Sequence, residues 1–338
     1  MNAAHVERVD LRLSRDGGGP ISLTMDLMLP ARDGVKLAAT LFDAAPPLRG
    51  ALLLNGGTGI PRQFYGAFAA HLAGRGFAVL TYDYRGIGAS EKPPAATIDQ
   101  WGSVDQPSML DHLTRLHPGV PIGLIGHSFG GQVLGLADNI AAVRAAVLIT
   151  SQSGHWRHWP AGRRRLRMLA LWWLLIPGLT ALTGRFPGAL IGTANLPANV
   201  ARSWARWGRS RHYVCDASGR PLRPHNAEVV FPIRWLSFTD DPIAPYAAVE
   251  ALRPYYPGAP VERQHLSPAD LGAEAVGHFG FFRKSMPRAG WDEIASWLDA
   301  RLHDSPAHGQ TGAEQQPEES PACQHPTFSP RSRMASAG

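Results

Sequence analysis

The chain has 338 residues, 44 % of them apolar and 18 % charged, which excludes disorder for most of its length and allows a sizeable core. Two cysteines, Cys215 and Cys323, make neither a disulfide framework nor a zinc-ligand spacing, and the first ten residues lack the apolar stretch of a secretory signal. The formal charge of +6 is uneven: twelve arginines and one acid, Asp216, lie between Ser151 and Pro224, so that segment carries +11 and the remainder −5. The charge thus belongs to one segment and not to the whole chain; no nucleic-acid partner is expected, a membrane- or nucleic-acid-associated module driven by the basic segment being the lesser alternative, and the expectation is a soluble cytoplasmic protein.

The first 45 residues alternate apolar and polar at Val9, Leu11, Leu13, at Leu23, Met25, Leu27, and at Val35, Leu37, Ala39, Leu41. Period two with glycine-rich breaks predicts antiparallel strands and hairpins. The pattern then changes to short, nearly continuous apolar runs at Gly50–Leu54, Phe77–Tyr82, Ile122–Ile125 and Val143–Ile149. Such runs suit parallel strands buried on both faces. Helical stretches are predicted between them over Gln63–Arg75, Gln106–Leu116 and Phe129–Asp138. The alternation implies βαβ units with right-handed crossovers. It resumes at Phe231–Phe238 and Pro260–Leu266, and Trp291–Leu302 closes the body as an amphipathic helix.

Residues 151–225 interrupt the pattern and hold six of the ten tryptophans; a helical insertion is predicted there. Its apolar run Met168–Leu182 is about 15 residues long and contains Pro177 and Gly178, short of the roughly 20 residues that span a bilayer. From Asp304 the chain has no Leu, Ile, Val, Trp or Tyr and has five prolines, the composition of a disordered tail. The organisation read from the sequence is a core over 1–150, an insertion over 151–225, the rest of the core over 226–302 and a tail over 303–338.

The chemistry concentrates at Gly126-His127-Ser128-Phe129-Gly130, a G-x-S-x-G between a predicted strand and a predicted helix. The turn forces the serine into a strained backbone conformation, and the flanking glycines leave room for it. At a helix N-terminus, the Phe129 N–H and the helix dipole would face a developing oxyanion. A serine hydroxyl needs a base that is itself oriented by an acid, and in this arrangement the acid and then the histidine follow the serine along the chain. The acid falls at Asp241, which begins the turn made by Pro242, with Asp240 as the second candidate. Among later histidines, His278 is favoured over His265, because Gly277 and Gly280 allow a tight loop with aromatic cover. The second oxyanion donor is expected from Asn55-Gly56-Gly57-Thr58-Gly59, at Thr58 or Gly57. No Gly-Lys-Ser/Thr and no G-x-G-x-x-G occurs there, so no phosphate-type cofactor loop is read, and His155 with His158 lacks a third metal ligand. Neither a cofactor nor a metal is expected. In Tyr82-Asp83-Tyr84-Arg85-Gly86, Asp83 and Arg85 are expected to pair locally.

The chain resembles the α/β-hydrolases, and among them the serine aminopeptidase/monoacylglycerol-lipase-like group with its bacterial hydrolases of undefined substrate. Four segments carry the resemblance: Leu80–Gly88, Gly126–Gln132, Phe238–Asp241 and Val276–Arg283. It covers about residues 20–302 and implies a mostly parallel sheet flanked by helices, a lid formed by the insertion, and a Ser128, Asp241, His278 triad. The departure is Asn55-Gly56-Gly57-Thr58 where relatives often carry His-Gly. The expected function is hydrolysis of a carboxylic ester or related small acyl substrate; peptide, thioester or C–C hydrolysis and a non-catalytic binding role are the alternatives, since the fold hosts all of them. The arginine-flanked Trp/Leu run invites contact with an anionic membrane surface, against the plainer reading of a helix packed in the insertion's own core.

Overall fold

The computed structural model describes residues 7–14 and 22–304. Three strands, β1 (Glu7–Ser14), β2 (Ser22–Pro30) and β3 (Lys36–Phe42), form an antiparallel meander. β4 (Gly50–Asn55) leads through α1 (Gly66–Gly74) to β5 (Phe77–Tyr82), which lies parallel to β4 and antiparallel to β3. A helix then runs from α2 (Ile98–Gln100) through a wide turn into α3 (Gln106–Leu116) and returns to β6 (Ile122–His127). β7 (Val143–Ile149) follows beside β6.

Between β7 and the resumption of the sheet lie α4 (Arg163–Ala170) and α5 (Ile176–Thr183), joined by a wide turn into one helix, Arg163–Thr183. The short pair β8 (Arg185–Phe186) and β9 (Leu196–Pro197) and helix α6 (Ala198–Arg209) complete this insertion. The sheet resumes with β10 (Ile233–Phe238), α7 (Tyr246–Glu250) and β11 (Val261–Leu266), and α8 (Arg288–His303) closes it. The nine strands lie in the order β1-β2-β3-β5-β4-β6-β7-β10-β11, with every pair from β5 to β11 parallel.

Two apolar layers explain why the central strands read as unbroken apolar runs. In β4, Leu53 faces one layer, while Leu52 and Leu54 face the other. Met109, Leu110 and Leu113 of α3 cover the first layer. Phe68 and Leu72 of α1 and Trp291, Ile294 and Leu298 of α8 cover the second. A strand clothed on both faces needs apolar residues at every position.

Three expectations are corrected. No α-helix follows β6: the chain makes short 3₁₀ turns at Ser128–Gly131 and Leu134–Leu136. Three glycines in this stretch lower helix propensity, and a Cβ on Gly130 would sit 2.1 Å from the Asn55 carbonyl oxygen, a contact that requires glycine but not a helix. Asp83 and Arg85 do not pair with each other. Asp83 accepts from the Arg62 backbone N–H at 2.6 Å and from its guanidinium at 2.7 Å. Arg85 donates to Asp105 and Asp33, each at 2.7 Å. Both partnerships join segments about 20 residues or more apart, which local spacing does not reveal. Third, the helix Arg163–Thr183 is 21 residues long and continues through Pro177, and by length and composition it could cross a membrane. The wide turn at Leu171–Leu175 shifts the hydrogen-bond register just ahead of Pro177, where its missing N–H is tolerated. The tail assigned to 303–338 lies outside the described residues beyond Asp304.

Candidate active site

β6 ends at His127, and Ser128 turns the chain with φ of +50°, a left-handed conformation that a non-glycine residue adopts at a cost of order 1–3 kcal/mol. Close approach fixes the residues on either side. A Cβ on Gly126 would lie 2.7 Å from the Gly131 nitrogen, so the strand end and the following turn pack backbone to backbone only with glycine there. Phe129, the next residue, is clamped by Tyr84, Trp101 and Trp207. The elbow is therefore held by sheet and aromatic core rather than by a helix.

The structure brings Ser128, His278 and Asp241 together over 150 residues of chain. His278 Nε2 lies 3.0 Å from Ser128 Oγ, and its Nδ1 lies 2.7 Å from Asp241 Oδ2. All three residues are buried. Asp241 stands just past the end of β10, where its other oxygen accepts the backbone N–H groups of Ile243 and Ala244 at 2.8 and 2.9 Å. Those bonds fix the carboxylate in the turn that Pro242 makes. A carboxylate at Nδ1 sets the tautomer: Nδ1 carries the proton, and the Nε2 lone pair faces the serine hydroxyl. Asp240, the second candidate, faces elsewhere; it accepts the Val276 N–H at 2.8 Å and so tethers the loop that carries His278. His265 bonds Ser237 within the β10–β11 pair and lies against Tyr246, away from this group.

The loop after β4 supplies the two oxyanion candidates, and they differ. The Gly57 N–H is donated to the Tyr65 hydroxyl at 2.7 Å, so it is not available to an oxyanion. Thr58, half-buried, borders the cavity above Ser128. Asn55, at the position where relatives often place His-Gly, turns its side chain into the core. Its amide donates to Gln106 and its oxygen accepts from Tyr82.

One further residue of the elbow was not singled out by its motif position. His127 is fully buried between the three loops. Its Nδ1 lies 2.8 Å from the Tyr65 hydroxyl and its Nε2 lies 3.0 Å from the His278 carbonyl oxygen. A carbonyl only accepts, so Nε2 carries the proton and Nδ1 accepts from Tyr65, whose oxygen in turn accepts from Gly57. Burial, and secondarily the neighbouring His278, hold the His127 imidazole well below its usual pKa and keep it neutral. One hydrogen-bonded line thus connects the loop after β4, the elbow and the His278 loop. A histidine at the variable position before the serine was the available signal, but its partners are visible only in three dimensions.

Above Ser128 is a cavity of about 380 Å³, within the range of small-molecule sites. The insertion walls it with Trp159, Met168, Leu171, Trp172 and Ile191, while Gln132 and Gln152 add polar points near the serine. Gln152 Oε1 is 3.5 Å from Ser128 Oγ, too long for a strong bond. The His155 and His158 rings meet edge to face with centroids 5.3 Å apart, and no group of three ligand-type side chains that could hold a metal ion occurs among the described residues.

Sheet order, elbow and the placement of Asp and His after late strands are those of the α/β-hydrolase fold, and the chain takes its place among proteins of that fold. Residues 52–206 match the family model described as alpha/beta hydrolase fold. No curated protein matches the sequence. Among solved structures, the chain is similar to the esterase PF2001 of Pyrococcus furiosus, at 17% identity and TM-score 0.55 over 82% of this chain and 91% of that one. It is also similar to the hypothetical protein PA2218 of Pseudomonas aeruginosa, at 18% identity and TM-score 0.58 over 87% and 99%. A third is the esterase EaEST of Exiguobacterium antarcticum, at 15% identity and TM-score 0.53 over 81% and 98%. At these identities the likeness is one of fold.

Proposed function

We propose that the protein is a serine hydrolase that cleaves small carboxylic esters or related acyl compounds with an apolar acyl group, using no cofactor. The observation that carries this reading is the continuous line Asp241–His278–Ser128 at 2.7 and 3.0 Å, opening into an apolar cavity. Ser128 Oγ attacks the acyl carbonyl as His278 Nε2 takes its proton, and the C–O bond to the leaving group breaks once that proton is delivered to it. Water, activated by the same nitrogen, then attacks the acyl-enzyme and releases the acid. Asp241 remains ionised throughout; it orients the imidazole and stabilises its protonated form. The N–H groups of Thr58 and Phe129 are assigned to the tetrahedral oxyanion. The esterases among the structural neighbours support an ester over other acyl compounds.

Tryptophan, methionine and leucine walls supply no countercharge, so a charged peptide terminus would lose solvation there without a partner. The expected preference is for acyl chains long enough to reach Met168 and Leu171. A series of p-nitrophenyl esters from acetate upward measures it: kcat/KM should rise with chain length by about threefold or more per methylene until the cavity is full, and then fall. A flat series together with efficient cleavage of an aminoacyl anilide would assign the site to peptides instead.

A further inference from the structure

We infer that the outer face of helix Arg163–Thr183 is a docking surface for an anionic lipid bilayer, on which the helix lies flat. Of its most apolar 18-residue window, with mean hydropathy 1.5, only 17% is buried within the protein. Leu166, Leu174 and Leu182 are 63%, 69% and 84% exposed, and Trp173 and Leu175 are exposed beside them. This is a contiguous apolar stripe along five turns of helix, not a scatter of single side chains.

Two observations decide what covers it. First, the stripe is bracketed by cations: Arg163, Arg164 and Arg167 stand exposed at its start and Arg185 at its end, and these four make no ion pair among the described residues. The whole segment between Ser151 and Pro224 has Asp216 as its single acid. An apolar strip with arginines at its margins complements a surface that is hydrocarbon below and anionic phosphate at the headgroups. A second copy of the same positive face would be repelled. Second, the inner side of the helix is committed to protein. Trp172, Ile176 and Thr180 are buried, Arg202 and Arg209 of α6 bond to the carbonyls of Thr180 and Trp172, and Met168 and Leu171 wall the cavity. A helix spanning the bilayer would have to surrender those contacts; a helix lying on it keeps them all.

Leu190, 60% exposed, stands at the cavity's edge and extends the apolar surface toward its mouth. Docking would place that mouth close to the lipid, so that an apolar substrate could enter from the bilayer without crossing water. Docking itself does not depend on turnover, and Ser128→Ala should bind membranes as the wild type does.

The test uses the full chain and sedimentation with vesicles of phosphatidylcholine alone or mixed with phosphatidylglycerol. The expected result is binding to the mixed vesicles that weakens as salt rises, and little binding to phosphatidylcholine alone. Leu174→Asp with Leu182→Asp should lower the bound fraction at least about tenfold while leaving the thermal melt and cleavage of a water-soluble ester unchanged. Arg163→Glu, Arg164→Glu and Arg167→Glu together should abolish the preference for phosphatidylglycerol. Binding unchanged by either set, or equal binding to both vesicle types, would overturn the inference. So would light scattering that shows self-association through this face with no vesicle binding, which would assign it to a second copy. If vesicle binding survives in Ser128→Ala but no ester is cleaved by the wild type, the hydrolase reading fails and the docking surface stands.

Discussion

At the scale of single residues, the site is a set of hydrogen bonds whose directions are forced. Asp241 accepts, so His278 Nδ1 donates and Nε2 accepts from Ser128. The same logic fixes His127 through the His278 carbonyl and leaves its Nδ1 for Tyr65. Tyr65 is therefore a positioning residue: it touches no reacting atom, yet it closes the line between the Gly57 N–H and His127. Tyr65→Phe would leave a buried N–H and a buried ring nitrogen without partners, at a cost of about 1–3 kcal/mol of stability. The loops bearing Thr58 and His278 would lose their common tie, and kcat should fall roughly tenfold with KM nearly unchanged. Steady-state kinetics beside a thermal melt separates the two effects. A lower melting temperature with kcat unaltered would make Tyr65 merely structural.

At the scale of elements, what the sequence disclosed follows from which interactions are local. Strands β4 to β7 were legible because burial on both faces leaves apolar residues at every position, and α3 because its apolar positions repeat at helical spacing. The stretch after Ser128 was misread as a helix. Its apolar positions fit a helical pattern, but its glycines disfavour a helix and answer to close contacts with Asn55 and Ser151, far away in sequence. The partner of Asp83 is not legible for the same reason: it is Arg62, in the 3₁₀ turn after the loop that follows β4. That pair, with Asp83 fully buried, anchors the base of the loop that carries Thr58. Arg62→Met would strand the buried carboxylate and should cost about 3–5 kcal/mol in a urea melt. A loss under about 1 kcal/mol would show that the backbone N–H groups of residue 62 and Ala89 suffice to hold the Asp83 carboxylate.

At the scale of the molecule, charge and shape divide the labour. The sheet and its two helical layers hold Ser128, Asp241 and His278 in register, while the insertion supplies both the apolar walls of the cavity and the arginine-bracketed outer face. The +11 of that segment therefore lies on the insertion and not on the sheet and helices that carry Ser128, Asp241 and His278. Ser128 was legible from its strained G-x-S-x-G turn, and Asp241 and His278 from their order after the late strands. The cavity lining was not, because tryptophans and leucines of an irregular insertion have no period that says which of them face inward.

The central claim is that Ser128 is a nucleophile activated by His278. Reaction of the protein with a fluorophosphonate probe, followed by mass spectrometry of the digested chain, tests it most directly. The account predicts one adduct, on the peptide containing Ser128, absent in Ser128→Ala and slowed by roughly 10³-fold or more in His278→Ala. A wild-type protein that stays unlabelled, or a label that persists undiminished in Ser128→Ala, would contradict it.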